Sequence, residues 1–277
     1  MNSTVRRMTL LCFSTVLALA LCATAHANTA CPMGPTGALE CSLSIGSDYF
    51  QTQTGTFATF PPPIGVVNFM GNPVGPGSTD TIVQRLNEPT LIPGGGPSTV
   101  STLLTTLSLE STTPLNIGGF HYSVFVNLDP SHLADDTGTL LVSLNSAANG
   151  GTFSSTLNVF FDVSFLPLDG GPALATLPMN FTLGSTGTPW STTPAAGSLL
   201  VSGTDGGSGD QAGNIHTGLA PGELDFFTGT FTEGGPGEGH VVSNTPTPEP
   251  GSLLLLFTAI PGLGILRRRM LLSRPSR

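Results

Sequence analysis

The sequence contains no lysine, and eight arginines carry all of its fixed positive charge. Seven of them sit at the ends, as Arg6, Arg7, Arg267, Arg268, Arg269, Arg274 and Arg277. Arg85 stands alone in between, whereas all seventeen acidic residues fall between Glu40 and Glu249. A body this acidic is a poor partner for nucleic acid, because binding phosphates needs lysine and arginine to displace counterions. Cations or neutral sugars suit it better. Charged residues are also scarce, at 9% of the chain, which excludes disorder driven by high charge and low hydrophobicity. Aromatic rings beyond phenylalanine are limited to Trp190, Tyr49 and Tyr122, so few surfaces could stack on a sugar. Helical stripes are missing as well. With 36 glycines and 24 prolines, turns are frequent and long helices are excluded from the body.

The ends carry the most specific patterns. Arg6 and Arg7 precede an apolar core over 8–21 and the small-x-small site Ala25-His26-Ala27. This is the form of a secretory signal peptide, cleaved before Asn28. At the other end, Thr245-Pro246-Thr247-Pro248-Glu249-Pro250-Gly251 leads into an apolar run from Leu253 to Leu266, followed by Arg267-Arg268-Arg269. A helix over that run would span about 21 Å, short of a ~30 Å hydrocarbon core. Pro261, Gly262 and Gly264 weaken it further. The segment suits a transient hold in the membrane, with its arginines kept on the cytoplasmic side.

Pro248-Glu249-Pro250, then Leu253-Leu254-Leu255-Leu256, then Gly262-Leu263-Gly264, then Arg267-Arg268-Arg269, in that order, resemble the PEP-CTERM sorting signal. The resemblance covers about residues 246–272. It implies exosortase, a membrane-embedded cysteine transpeptidase-like enzyme, as a partner. It also implies export in a Gram-negative, exopolysaccharide-producing bacterium, through an inner-membrane intermediate to the cell surface or matrix. Three stretches of the body, 80–85, 114–120 and 186–190, loosely resemble uncharacterised regions of other such proteins. The expected organisation is a signal peptide over 1–27, a body over 28–233, a flexible linker over 234–247, the sorting signal over 248–272 and a tail over 273–277. Removing the signal peptide leaves Cys31 and Cys41 as an even pair in an exported chain, for which a disulfide is expected.

Within the body, strand-period alternation dominates. Phe120, Tyr122, Val124, Val126 and Leu128 share one face, as do Leu157, Val159, Phe161, Val163 and Phe165. Leu103, Thr105, Leu107 and Leu109 give a third strand, Leu140, Val142 and Leu144 a fourth, and Leu177, Met179, Phe181 and Leu183 a fifth. Shorter strands are expected over 43–50, 56–60, 66–70, 81–86, 198–202 and 224–232. Turn signals at 129–130, 148–151, 169–172 and 184–187 separate them. This spacing predicts an all-β fold, an antiparallel β-sandwich with Gly/Pro-rich loops.

Candidate chemistry is sparse. No Gly-x-Ser-x-Gly elbow and no His-Glu-x-x-His occurs. The body histidines His121, His132, His216 and His240 read as surface or loop residues, with His240 in the linker. The segment from Thr204 to Asn214 offers Asp205 and Asp210 among flexible glycines, a weak calcium candidate. Asp129, Asp135 and Asp136 form a second oxygen cluster. Trp190, after Pro189, reads as a loop residue plugging the interior or stacking on a sugar. No catalytic residue is expected, and no cofactor other than calcium. The sequence points to a structural or adhesive matrix protein of a biofilm or its exopolysaccharide. A calcium- or glycan-binding module is the alternative, and a secreted hydrolase a weaker third.

Overall fold

The computed structural model describes residues 31–204 and 213–244. Within them the chain is all-β, a barrel with additional strands. Its strands are β1 (Cys41–Leu43), β2 (Gly46–Thr52), β3 (Phe57–Phe60), β4 (Gly65–Gly71), β5 (Thr81–Arg85) and β6 (Thr90–Leu91). Then come β7 (Ser98–Ser111), β8 (Leu115–Ile117), β9 (Phe120–Leu128), β10 (Thr137–Ser146), β11 (Gly150–Pro167) and β12 (Leu177–Ser191). The last are β13 (Ser202–Thr204), β14 (Ile215–Thr217), β15 (Glu223–Leu224), β16 (Phe227–Thr228), β17 (Phe231–Gly235) and β18 (Glu238–Ser243).

Antiparallel pairing closes on itself. One circuit runs β2–β5–β7–β10–β11–β12–β17–β18 and back to β2. A second shares β7, β11, β12, β17 and β18 but replaces β10 with β9, and β2–β5 with β3–β4. The long strands β7, β11 and β12 therefore run the height of the wall, and the shorter strands fill it end to end. The sequence led us to expect two face-to-face sheets. The pairing follows a ring instead, and alternation of apolar residues is the same in either arrangement because one face is buried in both. A closed wall also removes the exposed strand edges that template aggregation.

Each circuit surrounds its own apolar cluster. Phe60, Phe69, Val124, Val126, Phe161 and Val163 fill the one ringed by β3, β4 and β9. Val100, Leu140, Val142, Phe153, Trp190 and Phe226 fill the other, with Cys31 and Cys41 at its end. Each such side chain contributes about 1.5–3 kcal/mol by leaving water. The expected faces of β9, β10 and β11 are the buried ones, except that Phe120 at the start of β9 is exposed.

Four expectations need correction. In β7 the buried residues are Val100, Thr102 and Leu104, then Leu107 and Leu109. A bulge changes the phase: Val83 pairs with Leu104 but Ile82 with Thr106, leaving Thr105 as the extra residue. Leu103 and Thr105 thus lie off the core face. Second, Gly184 to Gly187 make no turn but continue β12, whose own bulge places Gly187 at φ +65°. Third, 234–243, expected as linker, forms much of the β17–β18 hairpin in the wall. Fourth, the strand expected over 198–202 is the short β13, beginning at Ser202.

Candidate functional site

At one end of the barrel, five polar side chains converge where the sequence offered scattered residues. Arg85, ending β5, is fully buried, and its Nη1 donates to Asp48 Oδ1 on β2 at 2.5 Å. Its Nε donates to the Ser44 carbonyl at 3.2 Å, and its guanidinium lies 5.2 Å from the Phe226 ring centre. Burial pushes the Asp48 carboxyl upward, opposed by the charge and hydrogen bond of Arg85. Beside this pair, His216 Nδ1 on β14 meets Asp225 Oδ1 at 2.7 Å, with both side chains buried. The Ser44 hydroxyl lies 3.5 Å from that same nitrogen and donates to the Leu224 carbonyl at 3.1 Å.

A serine, a histidine and an aspartate side by side invite a hydrolase reading. The geometry does not support it. In a nucleophilic triad the serine and the acid occupy opposite ring nitrogens, so that one nitrogen takes the serine proton while the acid orients the ring through the other. Here both occupy Nδ1. The other nitrogen, Nε2, has no hydrogen-bond partner among the described residues and faces Gly46. A Cβ at Gly46 would lie 2.7 Å from that nitrogen and 2.5 Å from the adjacent ring carbon. The cluster holds loop and strand together as a buried polar network.

A second polar series lies within the wall. His240 Nε2 on β18 is 3.0 Å from Thr52 Oγ1, and Thr52 donates to Asp80 from its hydroxyl at 2.5 Å and from its amide at 2.9 Å. Burial holds the His240 imidazole down at about 4 and pushes the Asp80 carboxyl upward. Glu233 on β17, the register partner of His240, is also buried, and burial pushes its carboxyl up to about 7.

Among the described residues, the Asp129, Asp135 and Asp136 cluster does not assemble as a cation site. Asp205 and Asp210 lie outside the described residues, as do Pro248, Glu249, Pro250 and Arg267 to Arg269. Asp129 accepts bonds from the Ser131 amide and hydroxyl and contacts His132 Nδ1 at 2.8 Å. Those bonds, the Ser131 hydroxyl first, pull its carboxyl down to about 2. Asp136 instead turns inward and accepts the Phe160 amide at 2.6 Å, where β9 gives way to β10 along β11. Among the described residues, no three His, Cys, Asp or Glu side chains are placed to hold a metal.

The remaining candidates fall as follows. Cys31 and Cys41 are joined as a disulfide. Trp190 is buried in β12, not in a loop, stacked on Phe226, with its indole N–H donating to the Ser143 carbonyl. Its ring is closed to a sugar. His121 is exposed and meets Asp169 at 2.8 Å, and His132 stacks on Phe160. His216 and His240, read as loop residues, are buried strand residues. The signal they carried was weak: each is flanked by strand-forming residues, but the glycines around 234–239 mask the hairpin. No helix among the described residues is long and apolar enough to cross a membrane. The chain matches no family model, no curated protein and no solved structure.

Proposed function

We propose that this chain is an exported, non-enzymatic protein, sorted by exosortase and retained at the cell surface or in the extracellular matrix. There its barrel serves as a structural or adhesive element of biofilm. The observation that carries this reading is the ordered series at the C-terminus: Pro248-Glu249-Pro250, the apolar run, and Arg267 to Arg269. Two features of the body support it. The Cys31–Cys41 disulfide belongs to an oxidising compartment. A largely closed wall, carrying the one Lys/Arg side chain of the described residues inside, suits a protein that must stay soluble outside the cell. Mass spectrometry of the protein from an exosortase-bearing host tests the sorting step. The expected C-terminus lies near Pro248 to Pro250; a chain still ending at Arg277 overturns it.

A calcium- or glycan-binding module is the second reading, favoured by the acid excess of a surface that shows no lysine or arginine. Calcium should then raise the melting temperature by mass action. An unchanged melt at millimolar calcium argues against that ion.

A further inference from the structure

The wall between β12 and β17 is incomplete. The strands on either side pair at Trp190↔Thr228 and Ser191↔Phe227, and again at Gly184↔Gly234. The register is the same on both sides of the gap, yet no ladder pairing joins 185–189 to 229–233. Beside the paired β12–β16 end, a groove of about 330 Å³ between Pro189, Pro194, Phe227 and Gly229 borders the gap. On the inside, Glu233 crosses it. Ser155 Oγ on β11 donates to Glu233 Oε1 at 3.0 Å, and Ser155 and Ser185 share a hydrogen bond of 2.8 Å. Ser155 and Ser185 are register partners on β11 and β12, so the three side chains form one row across three strands. All three are buried.

We propose that Glu233 is a pH-sensitive latch: its neutral carboxyl holds the splayed part of the wall shut, and its ionisation releases the β17–β18 hairpin from β12. The surroundings leave an ionised Glu233 without compensation. From β11 it accepts the Ser155 hydroxyl, and Ser185 on β12 is linked to it only through Ser155. Asp48 and Thr228 line the same internal cavity of about 30 Å³. Asp48 is already engaged by Arg85, the one fixed cation of the body, so no positive charge is free to answer Glu233. On β18, His240 stands opposite in register, but it contacts Thr52, and beyond Thr52 lies another acid, Asp80. A buried neutral carboxyl costs little to desolvate, whereas a buried carboxylate here would have a single hydroxyl donor to answer its charge. The backbone gives little resistance, since the nearest ladder contact is the lone Gly184↔Gly234 pair.

Burial raising Glu233 to about 7 sets the window near neutrality. A group held protonated in the closed wall stabilises closure below its free value and loses that contribution as pH rises through the closed-state value. Opening of the hairpin should thus increase on the order of a hundredfold between about pH 5 and pH 8. Amide hydrogen exchange on the whole exported chain tests this, after correction for intrinsic exchange rates. Protection around the Gly184↔Gly234 pair, over 183–185 and 233–235, should fall across that range in the wild type and stay level in Glu233→Gln, while β9 and β11 keep theirs in both. Equal protection at both ends of the range in the wild type, or the same loss in Glu233→Gln, overturns the latch. If Glu233→Gln does not fold, the carboxyl carbon of Glu233 followed by NMR in the wild type decides. A midpoint near 7 supports the proposal, and one near the ordinary 4.5 overturns it.

Discussion

Arg85 and Asp48 meet across neighbouring strands β5 and β2, 2.5 Å apart and closed off from solvent. The one Lys/Arg side chain among the described residues is thereby held inside, and its Nη2 makes no further hydrogen bond among them. Removing one partner of such a pair leaves a bare buried charge, which costs about 3–5 kcal/mol. Arg85→Met should destabilise the barrel by that amount in urea unfolding. The double variant Arg85→Met, Asp48→Leu should regain most of the loss, because no unpaired charge remains. A double variant as unstable as the single one would mean that the pair holds the fold by its geometry alone.

His240 predicts the behaviour in acid. Unfolded, its imidazole takes up a proton below its ordinary 6.5; folded, it stays neutral down to about 4. Unfolding therefore draws in a proton between those values, so the contribution is complete above 6.5 and is lost as pH falls toward 4. Thermal melts over this range should fall with acid more steeply in the wild type than in His240→Gln. Identical slopes would show that the ring is reached by water.

The bulge in β7 makes a sharp contrast between neighbours. Leu104→Ala opens a cavity in the larger cluster and should cost about 2–5 kcal/mol. Leu103→Ala, off the core face, should cost roughly 1 kcal/mol or less. Chemical denaturation of the two variants checks the phase of the strand; the reverse ranking would put the extra residue elsewhere.

Reduction of the Cys31–Cys41 disulfide should lower stability by roughly 2–3 kcal/mol, as expected for a short closed loop. Both sulfurs are buried against Leu43 and Leu91 in the second apolar cluster. The measurement is a pair of melting curves with and without a thiol reductant, beside the Cys31→Ser, Cys41→Ser chain.

How much of this could be read from sequence depends on what each residue's neighbours are. The apolar faces of β9, β10 and β11 were legible because fifteen or so residues obey a period of two without interruption. Leu103 and Leu104 were not, since a single extra residue inverts the phase and leaves no compositional mark. Gly184 to Gly187 and Gly234 to Gly239 look like loops, yet all but the Pro236–Gly237 turn lie in strands, and some of these glycines sit where strands approach closely at the seam. A Cβ on Gly235, for instance, would lie 2.9 Å from the Thr182 carbonyl. The convergence of Ser44, Asp48, Arg85, His216 and Asp225 spans more than 180 residues from first to last, and no spacing rule reaches that far. The aspartates told the same story in reverse. Asp136 resembled an ion ligand but serves as an acceptor for the Phe160 amide where one strand hands over to the next.

The ring has a temporal side. β2, near the start of the body, lies next to β18, at its end, so Thr52 and Val242 must find each other across nearly the whole chain. Whatever emerges first, from a ribosome or through a membrane channel, can pair β2 with β5 but keeps its other edge open until β18 arrives. Contacts this distant are slow to form. Assembly of the wall is therefore a single late event, and a chain stalled before its final hairpin remains an unfinished, protease-vulnerable intermediate rather than a smaller version of the same protein.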